Sequence, residues 1–148
     1  MTTTVRRLGP SQLLPSALGL LDQARRGLQE AATLTLPAER YATAHLAALR
    51  GAAAVLAART RPTDPRLRRR RPTSAWVLLT EVAPELGEWA AFFAAGAAKR
   101  AAAEAGVTRA VTSREADDLV RDATTFLALV ETTLGLVPTL PVGTLRAG

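Results

Sequence analysis

The chain has 148 residues, enough for one domain with a true core. Apolar residues make up 48% of it but aromatics only 4%, and the alanine- and leucine-rich balance favours helix. It has no cysteine and one histidine, which excludes disulfides, thiolate catalysis, Cys-held zinc or iron–sulfur clusters and a His-rich metal site; no metal or cofactor is expected. The net charge is +6, and its position is informative: seven arginines between Arg59 and Arg71, set against Asp64 alone, account for all of it. Met1 to Leu21 places basic residues before leucines as a signal peptide does. Pro15 interrupts it, however, and Asp22, Arg25 and Arg26 continue the same helical pattern, so it reads as part of the fold. No apolar run stands out as long enough to cross a bilayer, so a cytoplasmic protein without membrane attachment is expected.

Residues 1–10 read as a flexible tail. A first helix is predicted from Ser11 to Ala32, with Leu14, Ala17, Leu18, Leu21, Ala24, Leu28 and Ala31 recurring at spacings of three and four. After a short connector, Pro37 opens a second helix that runs to Arg59. Tyr41, Leu46, Leu49, Val55 and Leu56 share a broad arc of it, with His45 near the middle. Arg40 lies roughly 140° from His45, on a face of alanine and glycine. Residues 59–73 hold three prolines and the arginine cluster, and read as a solvated loop inside the domain.

A short helix follows from Ser74 to Ala83, with Trp76, Leu79 and Val82 inward. Pro84, Glu85 and Glu88 then begin a long helix that continues to Ala105, with Gly106 as its stop. Its segment from Trp89 to Ala98 is free of charge on every face, as expected of a central helix or one that meets a partner subunit. Thr112 and Glu115 form a T-x-x-E capping box before a last helix that ends near Leu134. Its core positions are Ala116, Leu119, Ala123, Phe126, Leu127, Val130 and Leu134. Gly135 ends it, and residues 135–148 read as a second tail. The fold class is therefore all-α: one bundle over residues 11–134, built from four main helices plus a short extra one.

Little in the chain carries chemistry. There is no phosphate-cradling loop, zinc-protease motif, calcium loop or nucleophile elbow. Glu115, Asp117, Asp118 and Asp122 cluster at the start of the last helix, where complementing the dipole and pairing with Arg114 and Arg121 accounts for them better than a divalent-metal site. One motif remains, the R-x4-H element Arg40-Tyr-Ala-Thr-Ala-His45. With the layout around it, it resembles the HEPN superfamily. That layout is a long first helix, RYATAHLAALRGAAAVLAAR, the proline- and arginine-rich break, PELGEWAAFFAAGAAKRAAAEAG, and a last helix opening SREADDL, across Leu13 to Leu134.

The resemblance implies a small and often dimeric α-bundle that binds RNA or nucleotides in a toxin–antitoxin-like setting. It also implies a metal-independent ribonuclease in which His45 is acid or base at a ribose 2′-hydroxyl and Arg40 meets the scissile phosphate. Tyr41 departs from the family's usual polar residue after the arginine, and the motif falls earlier in the domain than is usual. The alternative reading of His45 is a hydrogen-bonded core residue. Arg66, Arg68, Arg69, Arg70 and Arg71 are either a solvated basic loop or phosphate contacts, and no aromatic residue accompanies them for base stacking. Two functions stay open. The first is an RNA- or nucleotide-binding domain, catalytic through Arg40 and His45. The second is a non-catalytic interaction or homodimerisation module that docks a protein partner and uses the basic loop for electrostatic attachment.

Overall fold

A computed structural model describes residues 10–61, 63–65 and 72–138. Both expected tails fall almost wholly outside the described residues, as do Arg66, Arg68, Arg69, Arg70, Arg71 and the side chain of Leu14. The described residues form six α-helices: α1 (Pro10–Thr33), α2 (Pro37–Arg59), α3 (Pro72–Val82), α4 (Gly87–Ala95), α5 (Ala97–Glu104) and α6 (Ser113–Thr133). Two single 3-10 turns, Pro84–Leu86 and Thr108–Ala110, join α3 to α4 and α5 to α6. No strand occurs among the described residues. The architecture is the expected all-α bundle. It differs in one respect, because the long helix expected from Pro84 to Ala105 is cut at Gly96 into α4 and α5.

The local signals act as the sequence directs. Leu36 is extended ahead of Pro37, which occupies the first turn of α2. The capping box of α6 is complete: the Glu115 amide donates to Thr112 Oγ1 at 3.1 Å, and the Thr112 amide donates to Glu115 Oε1 at 2.9 Å. Gly106 and Gly135 take the left-handed conformation just past α5 and α6, at φ 88° and 79°. There Val107 N–H closes on Ala102 O and Leu136 N–H on Glu131 O, which satisfies helix-end carbonyls that would otherwise be bare.

α2 is the hub. It packs along α1 on one side and α6 on another, and also meets α3 and α5. Its buried set includes Ala44, Ala47, Ala48, Gly51, Ala52 and Ala54 as well as Tyr41, Val55 and Leu56, whereas Leu46 and Leu49 are only half-buried. The seam therefore takes in Tyr41, His45, Val55 and Leu56 of the expected arc and extends onto the small-residue face, leaving Leu46 and Leu49 at its edge. Small side chains let the helix axes approach. A Cβ on Gly27 of α1 would lie 3.3 Å from Ala47 Cβ, and one on Gly51 would lie 2.4 Å from Leu127 Cδ2. By length and composition α2 could cross a membrane, but burial within the bundle already uses its apolar surface. Trp76, Phe93 and Phe126 fill the centre, with the Trp76 and Phe93 rings stacked at 5.2 Å. A two-armed ion pair from Arg25 of α1 to the buried Glu131 of α6, one arm at 2.9 Å, closes the bundle.

Candidate functional site

His45 projects inward from the middle of α2 and is 1% exposed. Tyr41 stacks on it at 6.2 Å, and Trp76 and Phe93 meet it edge-on at 6.1 and 5.8 Å. Its Nε2 lies 2.8 Å from the carbonyl oxygen of Phe93. A carbonyl can only accept, so Nε2 carries the proton and donates. Nδ1 is then a bare acceptor, buried and without a hydrogen-bond partner among the described residues. Burial pushes the imidazole below its ordinary pKa of 6.5. The Phe93 hydrogen bond opposes that shift, Arg100 adds to it, and Glu104 opposes it. The resting state is a neutral ring.

The acceptor lies beside the helix break. At Gly96 the chain turns tightly, its N–H closing back on Phe93 O at 3.0 Å, and α5 restarts with Arg100 N–H on Gly96 O at 3.0 Å. Phe93 O thus takes a backbone donor and the imidazole together, one on each lone pair. Gly96 has an ordinary helical φ of −85°, so its glycine is not required by backbone conformation. It is required by proximity, because a Cβ there would lie 2.6 Å from the Tyr41 hydroxyl and 3.5 Å from His45 Cδ2. Residues 41, 45, 93 and 96 therefore form one lock between α2 and the α4–α5 break.

Arg40 points elsewhere. It forms an ion pair with Asp117 in the first turns of α6. The neighbouring Lys99 of α5 pairs with Glu115, the capping residue. Lys99 and the Thr112 amide hold the Glu115 carboxyl below its usual range. Burial raises Tyr41, with Lys99 lowering it and Glu115 raising it. The acidic start of α6 is thus tied to α2 and α5. Asp118 makes the expected local pair with Arg121 at 3.0 Å. The structure does not bring Arg40 and His45 together: one reaches the bundle surface at α6, and the other is enclosed against α4. Lys99, Phe93 O and Gly96 are members of this region that sequence reasoning did not find, and Asp117, expected to pair with Arg114 or Arg121, is held by Arg40 instead.

At the C-terminal end of α2, Arg59 pairs with Glu85 at 2.9 Å. Arg59, Thr60, Arg61, Thr63, Asp64 and Pro65 border a polar hollow of about 600 Å³ there. The arginines proposed to meet phosphate follow this point, outside the described residues. On α4, Phe92 is 45% exposed and is flanked by exposed Ala91, Ala95 and Ala98. A shallow hollow of about 340 Å³ beside it is lined by Glu88, Trp89, Phe92 and Asp122, and burial raises the Asp122 carboxyl. Among the described residues, no three His, Asp or Glu side chains are grouped to hold a metal ion.

The described residues form a helical bundle with the R-x4-H element on its second helix. The family model described as SAV_6107-like HEPN matches residues 31–131, most of the chain, and the chain belongs to that family. Comparison with curated proteins and with solved structures gives no match.

Proposed function

We propose that this HEPN domain is a non-catalytic interaction module. It pairs with a second copy through the exposed face of α4, while the arginine-rich segment supplies electrostatic attachment to RNA or a nucleotide. The observation that carries this reading is the state of the only histidine: enclosed in the core, neutral, and donating its one N–H to Phe93 O. A general base needs an open lone pair within reach of the proton it takes. The bare Nδ1 faces the interior, and Arg40, the phosphate-binding half of the ribonuclease reading, is engaged with Asp117. The pairing surface is supported by the charge-free stretch from Trp89 to Ala98, where Phe92 stands out among alanines.

Sedimentation velocity tests the pairing. Wild type is expected to run as a dimer at micromolar concentration. Phe92→Arg, which places a charge on that face at a position 45% exposed, should run as a monomer with unchanged helicity. A wild type that stays monomeric at 100-fold higher concentration, roughly the range of a weak contact, refutes the pairing. Metal-free cleavage of RNA that is abolished in a folded His45→Gln protein refutes the non-catalytic reading.

A further inference from the structure

At the end of α2 opposite Arg59 lies a groove of about 610 Å³. Three elements converge on it: the C-terminal turn of α1, the first turns of α2, and the end of α5 running into the turn before Thr108. Leu34, Leu36, Ala38, Ala42, Leu46 and Ala103 give it a mainly aliphatic lining. Leu36 is 53% exposed although it belongs to a folded connector, which leaves apolar surface facing water.

The charged side chains that line this apolar surface are all acidic. Glu30, Glu39 and Glu104 line the groove, and no lysine or arginine does. Two of these acids sit where a helix disfavours them. Glu30 is in the last turn of α1, and Glu104 is the last residue of α5, beside the negative ends of the two helix dipoles. The helix dipoles therefore do not account for acids at those positions. Glu39, in the first turn of α2, is the one that suits its helix. Arg100 pairs with Glu104 at 3.5 Å from outside the groove. The groove therefore combines aliphatic contact area with three carboxylates, one of them shared with Arg100, on a chain whose net charge is +6.

We infer that this groove docks a basic segment of a partner protein, an extended or helical stretch in which aliphatic side chains alternate with arginine or lysine. The aliphatic residues cover Leu36, Ala42 and Leu46, and the cations reach Glu30, Glu39 and Glu104. The groove shares no lining residue with the α4 hollow, and no residue of 59–71 lines it, so the inference stands whether or not the proposed function holds. The overall positive charge of the chain opposes the approach of any basic peptide. Binding therefore requires the local field of the groove and cannot come from the protein's charge as a whole.

The test uses the full chain and a fluorescein-labelled peptide of alternating leucine and arginine, with fluorescence anisotropy as the readout. A peptide with glutamate in place of arginine is the control. Binding of the basic peptide alone is expected. It should weaken at least tenfold in Glu30→Gln/Glu39→Gln/Glu104→Gln, whose helicity should match wild type because all three positions are exposed. Leu36→Ser, at an exposed position, should weaken it severalfold without changing the salt dependence. Equal binding of both peptides, undiminished binding to the triple variant, or no binding at millimolar peptide each overturns the inference.

Discussion

Changing His45 to alanine removes a ring enclosed by Tyr41, Trp76 and Phe93 together with its hydrogen bond to Phe93 O. Truncating a buried ring to a methyl group costs about 3–5 kcal/mol, and a lost neutral hydrogen bond about 1 kcal/mol. Two effects offset this. The unpartnered Nδ1 disappears, and alanine is the better helix former, which together return about 1–2 kcal/mol. A net loss of about 3 kcal/mol is expected in urea unfolding at pH 7.5, read as a lower midpoint at constant slope. The pH dependence has a definite sign. The unfolded chain takes up a proton near 6.5, whereas the folded ring, lowered by burial, takes it up only at lower pH. The unfolded state then binds more protons, so stability is complete above 6.5 and is lost as pH falls below it, by at most about 1.4 kcal/mol over the first unit. The depressed carboxyls of Glu85 and Glu115 act below 4.5, outside that window. His45→Ala should show no loss between pH 7.5 and 5.5 from this source. A loss under about 0.5 kcal/mol for the variant, or an identical pH slope in both proteins, refutes the reasoning.

Three further outcomes follow from packing and charge. Gly51→Ala places a methyl group 2.4 Å from Leu127 Cδ2 and 3.6 Å from Phe126 Cε2, both on fully buried residues. The overpacking should outweigh the gain in helix propensity and lower the thermal midpoint by several degrees, and a midpoint at or above wild type contradicts the close α2–α6 seam. Arg25→Ala leaves Glu131, only 6% exposed, without its two-armed partner; a loss of about 3 kcal/mol in urea is expected, with partial recovery in Arg25→Ala/Glu131→Gln. Thr112→Ala removes the acceptor of the Glu115 amide and should cost about 1 kcal/mol, whereas Thr112→Ser should be close to neutral.

Much of this was legible because its cause is local. The spacing of Leu119, Phe126, Leu127 and Val130 predicts the buried face of α6, and Thr112 with Glu115 predicts its start. The inward position of His45 follows from helical periodicity alone. What was not legible depends on partners distant in the chain. Gly96 lies in a run of alanines, where a single glycine is tolerated in a helix. Its role appears only once the Tyr41 hydroxyl is placed 2.6 Å from its missing Cβ. The alanine and glycine positions of α2 carry little hydrophobicity per residue, so the sequence does not show how far the buried face extends beyond the arc, of which Leu46 and Leu49 form only the half-buried edge. Arg40 reads as a free cation until α6 brings Asp117 to it. The acidic groove is assembled from three elements, and no stretch of sequence contains it.

His45 is the only imidazole in the chain, so its nitrogen resonances need no assignment by mutation. Nitrogen-15 spectra of uniformly labelled protein, titrated downward from pH 7.5 with and without an RNA oligonucleotide, test the central claim most directly. The account predicts a single ring protonated at Nε2, predominantly neutral at pH 6.5 and unaffected by RNA. A ring that titrates at its ordinary 6.5 and shifts when RNA is added would contradict it.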